Sequence, residues 1–200
     1  MYLIFDFETT GLFNSPAEFN KQKPIQLAWK ILNNEKQQYI SRMYYIKGND
    51  KINQDFHKNL SVDFLNSNGQ NITDVLIIFM RDLKIVAQNK GIIIAHNIDF
   101  DFTILLNELK SLGMYEQYKD VIDYFSTNQY CTMKHSVDYC KLPKYHKVQH
   151  KRLNKGYKYP KLIELYRILF SKDPTVTLHD ATNDVSVTVD CFIKLQELGI

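Results

Sequence analysis

Acidic residues gather at three places in this chain of 200 residues, in patterns that could support chemistry. Near the N-terminus, FDFETTG sets Asp6 and Glu8 two positions apart inside an apolar run. Midway, AHNIDFD offers Asp99 and Asp101, and towards the C-terminus HDATND offers His179, Asp180 and Asp184. The run MYLIFDFE has a strand's composition, so Asp6 and Glu8 are expected on one face near the strand's end. Like charges held that close repel one another unless a cation lies between them. A divalent-metal site needs such hard oxygen ligands, delivered by separate elements to one point. Each cluster also has an ordinary reading, as solvated acids on an edge strand or as carboxylates favoured by a helix N-terminus.

Whether the three clusters meet depends on the elements between them. YLIFDFE, PIQLAWKIL and QQYISRMYYI read as consecutive strands, with NNE turning the second into the third, and so as an antiparallel meander. ITDVLIIFMRDLKIVAQ, residues 72–88, has helical spacing, and GIIIAHN is a short apolar run suited to a strand buried on both faces. DFDFTILLNELKSLG reads as a helix ended by Gly113. Asp99 and Asp101 then lie where a parallel strand runs out into a helix, the usual ligand site of open α/β sheets. A short strand or turn is expected around Val121 to Tyr124, with a short helix after it. YPKLIELYRILF and DATNDVSVTVDCFIKLQELG read as helices, the second with Asp180 as its N-cap. His179 would then approach from a loop, because five helical residues would turn it away from Asp184. The expected fold class is α/β: a mixed five-stranded sheet, three strands in a meander plus parallel strands, flanked by helices.

Length and composition suit one globular domain over residues 1–200. No signal peptide or membrane-length apolar run is evident, and three cysteines without framework spacing suit a reducing compartment. An intracellular location, cytoplasmic or nucleoid-associated, and no membrane partner are expected. The net charge of +3 is uneven. Residues 134–161 carry eight Lys and one Arg against Asp138 alone, with Tyr139, Tyr145, Tyr157 and Tyr159 interleaved. Such a basic insertion, read as a loop with aromatics, can follow a phosphate backbone and stack on bases. Cys131, His135, Cys140, His146 and His150 also fall close together, but only His146 and His150 have a spacing common in zinc sites.

In order and spacing, D-x-E-T-T-G at Asp6 to Gly11, H-N-x-x-F-D at His96 to Asp101 and H-x-A-x-x-D at His179 to Asp184 form one set. The chain resembles the DEDDh family of 3′–5′ exonucleases. That resemblance implies a ribonuclease H-like fold, in keeping with the sheet read above. It implies Asp6, Glu8, Asp101 and Asp184 as metal ligands for two divalent cations, Mg²⁺ or Mn²⁺, and His179 as the general base. It also selects Asp101 over Asp99, since the motif ends on the aspartate after Phe.

The implied reaction is two-metal-ion hydrolysis that removes nucleoside 5′-monophosphates from nucleic acid 3′ ends, single-stranded or frayed. Thr9, Thr10, Gly11 and Leu12 would lie beside the terminal nucleotide, and His96 and Asn97 would shape the strand-to-helix turn or line its pocket. DNA is favoured as substrate. RNA 3′-end trimming and a catalytically silent nucleic-acid-binding module are the alternatives. A proofreading role would call for a polymerase or other replication partner, and no motif sets an oligomeric state.

Overall fold

The computed structural model describes residues 1–11, 22–53, 57, 60–148 and 151–200, with 145–148 and 151–155 as backbone alone. Strands β1 (Tyr2–Thr9), β2 (Pro24–Leu32) and β3 (Gln38–Tyr45) form the antiparallel meander. On the other side of β1 lie β4 (Ile92–Ala95) and β5 (Gln129–Cys131), each parallel to its neighbour. The sheet order is therefore β3-β2-β1-β4-β5. The mixed sheet expected from the sequence is present, with β1 between its antiparallel and parallel halves.

Alternation along β1 divides its side chains between two cores. Leu3, Phe5 and Phe7 join Leu27, Trp29 and Ile31 of β2 under helices α2 (Ile72–Gln88), α3 (Ile98–Ser111) and α4 (Lys119–Thr127). Ile4 faces the other way, with Ala28 and Leu32, towards α7 (Leu162–Phe170) and α8 (Ala181–Glu197). With a period of two, Asp6 and Glu8 continue the row of Ile4. The face that carries α8 thus becomes acidic as β1 approaches its carboxyl end.

Capping sets several boundaries. Helix α1 (Val62–Asn68), which the apolar periodicity does not announce, starts at Ser61, whose side chain accepts from Phe64 N. Asn71 caps α2 in the same way, and Asp180 caps α8 by accepting from Thr182 N and Asn183 N. Gly113, at φ +68°, follows α3, and Met114 N donates back to Leu109 O. The buried acid Asp82 on α2 is satisfied by Trp29 Nε1 at 3.0 Å and Arg42 Nε at 2.9 Å.

Two expectations need correction. Val121 to Tyr124 belong to α4, not to a strand or turn, because Ile122 and Phe125 bury one helical face in the core. The fifth strand comes after that helix and is only three residues long. The basic insertion, expected as a loop, contains a two-stranded antiparallel hairpin, β6 (Pro143–Val148) and β7 (Lys151–Tyr157). It follows the one-turn helices α5 (Thr132–His135) and α6 (Val137–Cys140) and forms a sheet of its own. No helix among the described residues is long and apolar enough to cross a membrane.

Candidate active site

The carboxyl end of β1 is where the three acidic clusters approach one another. Pairing between β1 and β4 covers only Tyr2 to Ile4, so farther along β1 the edge towards β4 has no strand beside it among the described residues. There Asp101, in the first turn of α3 and 1% exposed, accepts the Phe7 amide on Oδ1 at 2.9 Å. A side chain from the second cluster therefore completes the backbone between the two acids of the first. Asp99, two residues earlier, is an exposed surface acid paired with Lys134 Nζ at 2.6 Å.

The third cluster arrives over the α8 face. Ligand atoms of Glu8, His179 and Asp184 lie within 4.8 Å of one another. His179 sits outside α8 with a left-handed backbone, φ +70°, and its amide points at both carboxylate oxygens of Asp184, 3.3 Å from each. Asn183 Nδ2 ties the same loop by donating to Thr177 O at 2.8 Å. The left-handed turn lets His179 point its amide at Asp184 while its ring joins the group around Glu8.

The electrostatics are those of a cation site. Burial first, and then the charges of Asp101, Asp184, Glu8 and Asp180, push the Asp6 carboxyl well above its ordinary range. Burial and neighbouring acids raise Glu8 to about 8. Asp101 rises to about 8 through burial, against the lowering effect of the Phe7 hydrogen bond. Asp184 rises to about 7, again chiefly through burial. Among the described residues, no lysine or arginine forms an ion pair with any of the four. Carboxylates gathered without a cation hold protons near neutrality, and divalent cations would replace those protons. The donor set, carboxylates with one imidazole beside them, suits Mg²⁺ or Mn²⁺.

Beside this cluster is a cavity of about 160 Å³ lined by Asp6, Phe7, Glu8, Thr9, Gly11, His57, Phe100 and His179. Thr9 Oγ1 donates to Gly11 O at 2.7 Å and steadies the turn. Thr10 points elsewhere: its hydroxyl donates to Gln22 Oε1 at 3.0 Å, and the residue lines a separate groove with Lys23 and Asn49. A Cβ on Gly11 would stand 3.2 Å from Gln22 Oε1, so its absence lets that amide close over the turn. Leu12 lies outside the described residues.

His96 and Asn97 are not among the residues lining the cavity. Burial pushes His96 down to about 4, so its ring is neutral with one N–H. Nε2 carries that proton, because it faces the Pro160 carbonyl at 3.1 Å, and Nδ1 accepts from Thr132 Oγ1 at 3.0 Å. His96 thereby moors the return leg of the basic hairpin at the carboxyl end of β4. Asn97 precedes α3 with φ +73° and ψ +52°, a left-handed conformation that asparagine tolerates, and makes no side-chain cap.

His57 is the residue that sequence reading missed. Its Nε2 donates to Thr9 O at 2.8 Å, its Nδ1 stands 3.9 Å from Glu8 Oε2, and Nδ1 is buried with no hydrogen-bond partner among the described residues. No local spacing links it to the acidic motifs, and a lone histidine in DFHKNL gives no signal beyond its type. Of the residues considered for zinc, His150 and the His146 side chain lie outside the described residues; among those described, the sole cluster of potential metal ligands is Glu8, His179 and Asp184.

A family model described as Exonuclease (RNase_T) matches residues 3–192. No curated protein matches the chain. Among solved structures, E. coli Exonuclease I in complex with a dT13 oligonucleotide is similar at 14% identity and TM-score 0.65, covering 98% of this chain and 40% of that one. An Exonuclease I from Methylocaldum szegediense is similar at 12% identity and TM-score 0.65, with the same coverage. A further Exonuclease I structure reaches TM-score 0.67 at 13% identity. The present chain thus spans about 40% of the length of these proteins, and at such identities the likeness shows the fold.

Proposed function

Because the chain belongs to the exonuclease family whose model spans residues 3–192, we propose that it removes nucleoside 5′-monophosphates from 3′ ends, preferably of DNA, with two divalent cations. The observation that carries this reading is the approach of Glu8, His179 and Asp184 to within 4.8 Å, beside Asp101 on the Phe7 amide. Asp6, Glu8, Asp101 and Asp184 would hold Mg²⁺ or Mn²⁺. When bound, the cations supply Lewis acidity towards the scissile phosphate and the attacking water. His179, exposed on its loop, takes the proton from that water as general base. The cavity walled by Phe7 and Phe100 receives the terminal nucleoside, and Thr9 and Gly11 form its rim. The preference for DNA draws on the likeness to an exonuclease bound to dT13.

The basic hairpin, whose exit at Pro160 is tied to His96 after β4, would hold the strand on the 5′ side of the scissile bond. Residues 1–200 then act as one nuclease unit with a substrate-gripping insertion at about 134–161. The direct test offers 3′-labelled single-stranded DNA, duplex DNA and RNA with Mg²⁺ or Mn²⁺, beside an Asp6→Ala control. Release of the label as mononucleotide in the first cut, by the wild type alone, is expected, fastest from DNA. Retained binding without cleavage of any substrate would instead identify a silent binding module.

A further inference from the structure

Gln26 on β2 has no exposed surface and lies directly opposite Glu8 in the β1–β2 ladder, so both side chains stand on the α8 face. Its amide is used at both ends. Nε2 donates to Asp180 Oδ2 at 3.0 Å, and Oε1 accepts from Ala181 N at 3.1 Å. The other carboxylate oxygen of Asp180 caps Thr182 N and Asn183 N, and its carbonyl accepts from Asp184 N at 2.9 Å. One side chain from the strand beside Glu8 therefore grips the single turn that presents both His179 and Asp184.

We propose that Gln26 is a positioning residue for hydrolysis: its amide, latched on Asp180 and Ala181, sets the separation between Glu8 and the His179–Asp184 pair. Asp180 is then the latch partner, not a further metal ligand. This rests on the exonuclease reading above. Glutamine suits the position because it can donate to a carboxylate and accept from an amide simultaneously. Leucine would fill the space and leave the Ala181 N–H buried without an acceptor. Glutamate would keep the Ala181 bond but set a second carboxylate against Asp180. Asparagine, one methylene shorter, would fall short of one partner.

The test exploits the symmetry of the pair. Gln26→Glu and Asp180→Asn each frustrate the latch, the first by opposing two carboxylates and the second by opposing two amides. Combined, they exchange donor and acceptor across the same contact. The amide introduced on the α8 side donates to the carboxylate introduced on β2, that carboxylate still accepts from Ala181 N, and the new amide's oxygen still caps α8. Each single variant is expected to lose about 10- to 100-fold in kcat and in Mn²⁺ affinity by calorimetry, the range for partners that orient metal ligands. KM for a DNA oligonucleotide should stay within about twofold, since the latch does not touch the strand. The double variant should recover both kcat and Mn²⁺ affinity. Folded single variants with unchanged Mn²⁺ affinity, or a folded double variant with no recovery, would overturn the proposal. Because Mn²⁺ affinity is read without turnover, a wild type that cleaves nothing would sink the exonuclease reading and leave the latch decided by calorimetry.

Discussion

The Phe7 amide donates to Asp101 Oδ1 at 2.9 Å, so an acid from α3 is built into the backbone of the strand that carries Asp6 and Glu8. The bond does two separable things: it satisfies an amide beyond the β1–β4 ladder, and it fixes a carboxylate between the two acids. Asp101→Asn keeps the acceptor and removes the charge. We expect it to fold, to lose at least about 100-fold in kcat with the loss of a metal-orienting charge, and to melt higher than the cation-free wild type above pH 8. Asp101→Ala removes the acceptor too and should lose about 1–3 kcal/mol of stability. Thermal melts in EDTA at pH 6 and pH 9, run beside single-turnover assays, separate the two effects.

The sign of the carboxyl shifts predicts how the cation-free protein responds to pH. Glu8 and Asp101 rise to about 8 and Asp184 to about 7 in the folded state, against ordinary values of 4.5, 3.8 and 3.8. Between roughly pH 4 and pH 8 the folded state thus binds more protons than the unfolded one, and stability falls as pH rises. In EDTA the melting temperature should decline across that window, most steeply at roughly pH 5–7, where the unfolded carboxyls are ionised and the folded ones still protonated, and level off above about pH 8. Saturating Mg²⁺ or Mn²⁺ should flatten the decline, because cations replace the protons. At pH 7 cation binding should release protons, detected as a dependence of the calorimetric heat on the buffer's ionisation enthalpy. A flat melting profile in EDTA would contradict the clustering of these acids.

His179 can be assigned by separating binding from turnover. Its ring lies near enough to Glu8 and Asp184 to serve as a ligand or as a base for water between them. The base assignment predicts that His179→Ala lowers kcat by about 10²- to 10⁴-fold and leaves Mn²⁺ affinity within about threefold. A ligand would lose affinity and rate together. Mn²⁺ titration by calorimetry and pre-steady-state hydrolysis on the same preparation give the answer.

His57 supports the Thr9 carbonyl, and its Nδ1, in the cavity wall beside Glu8, has no hydrogen-bond partner among the described residues. Burial lowers its pKa, against the hydrogen bond to Thr9, so the ring is neutral with Nδ1 as its acceptor; if the cavity takes the terminal nucleoside as proposed, Nδ1 would meet a donor on it. His57→Phe fills the same space but removes both that acceptor and the Nε2 bond to Thr9 O, and a thermal melt run beside the assay reads the second loss. The variant should lower kcat/KM about tenfold and weaken inhibition by the product monophosphate to a similar degree, the value of one lost hydrogen bond. Equal inhibition constants for wild type and variant would show that Nδ1 does not meet the nucleotide.

Much of the fold was legible because it rests on local pattern. Alternation placed Asp6 and Glu8 on one face, helical spacing located α2, and Asp180 marked the start of α8. The fifth strand was misplaced because three residues, Gln129–Cys131, are too few to display a period, while the amphipathic α4 before it supplied the stronger signal. The contacts of His57 and Gln26 were illegible for a different reason. The first reaches Thr9 from 48 residues away, and the second reaches Asp180 from 154 residues away. Such links exist only once the sheet and α8 are packed together.

The basic hairpin carries its information in charge, and salt dependence can read it. Lys151 and Arg152 open β7, in a segment of net charge +8 whose exit at Pro160 is tied to His96 at the end of β4. A single strand held by such a segment releases counterions, and log affinity falls with log salt by about 0.7 for each phosphate neutralised. Replacing both residues with glutamate should weaken binding of a DNA oligonucleotide at low salt and flatten the slope by about 1.4 if each meets one phosphate. Cleavage of a dinucleotide, too short to reach the hairpin, should be unaffected. An unchanged slope with long substrates would place the strand's path elsewhere and leave the hairpin's charge to another partner.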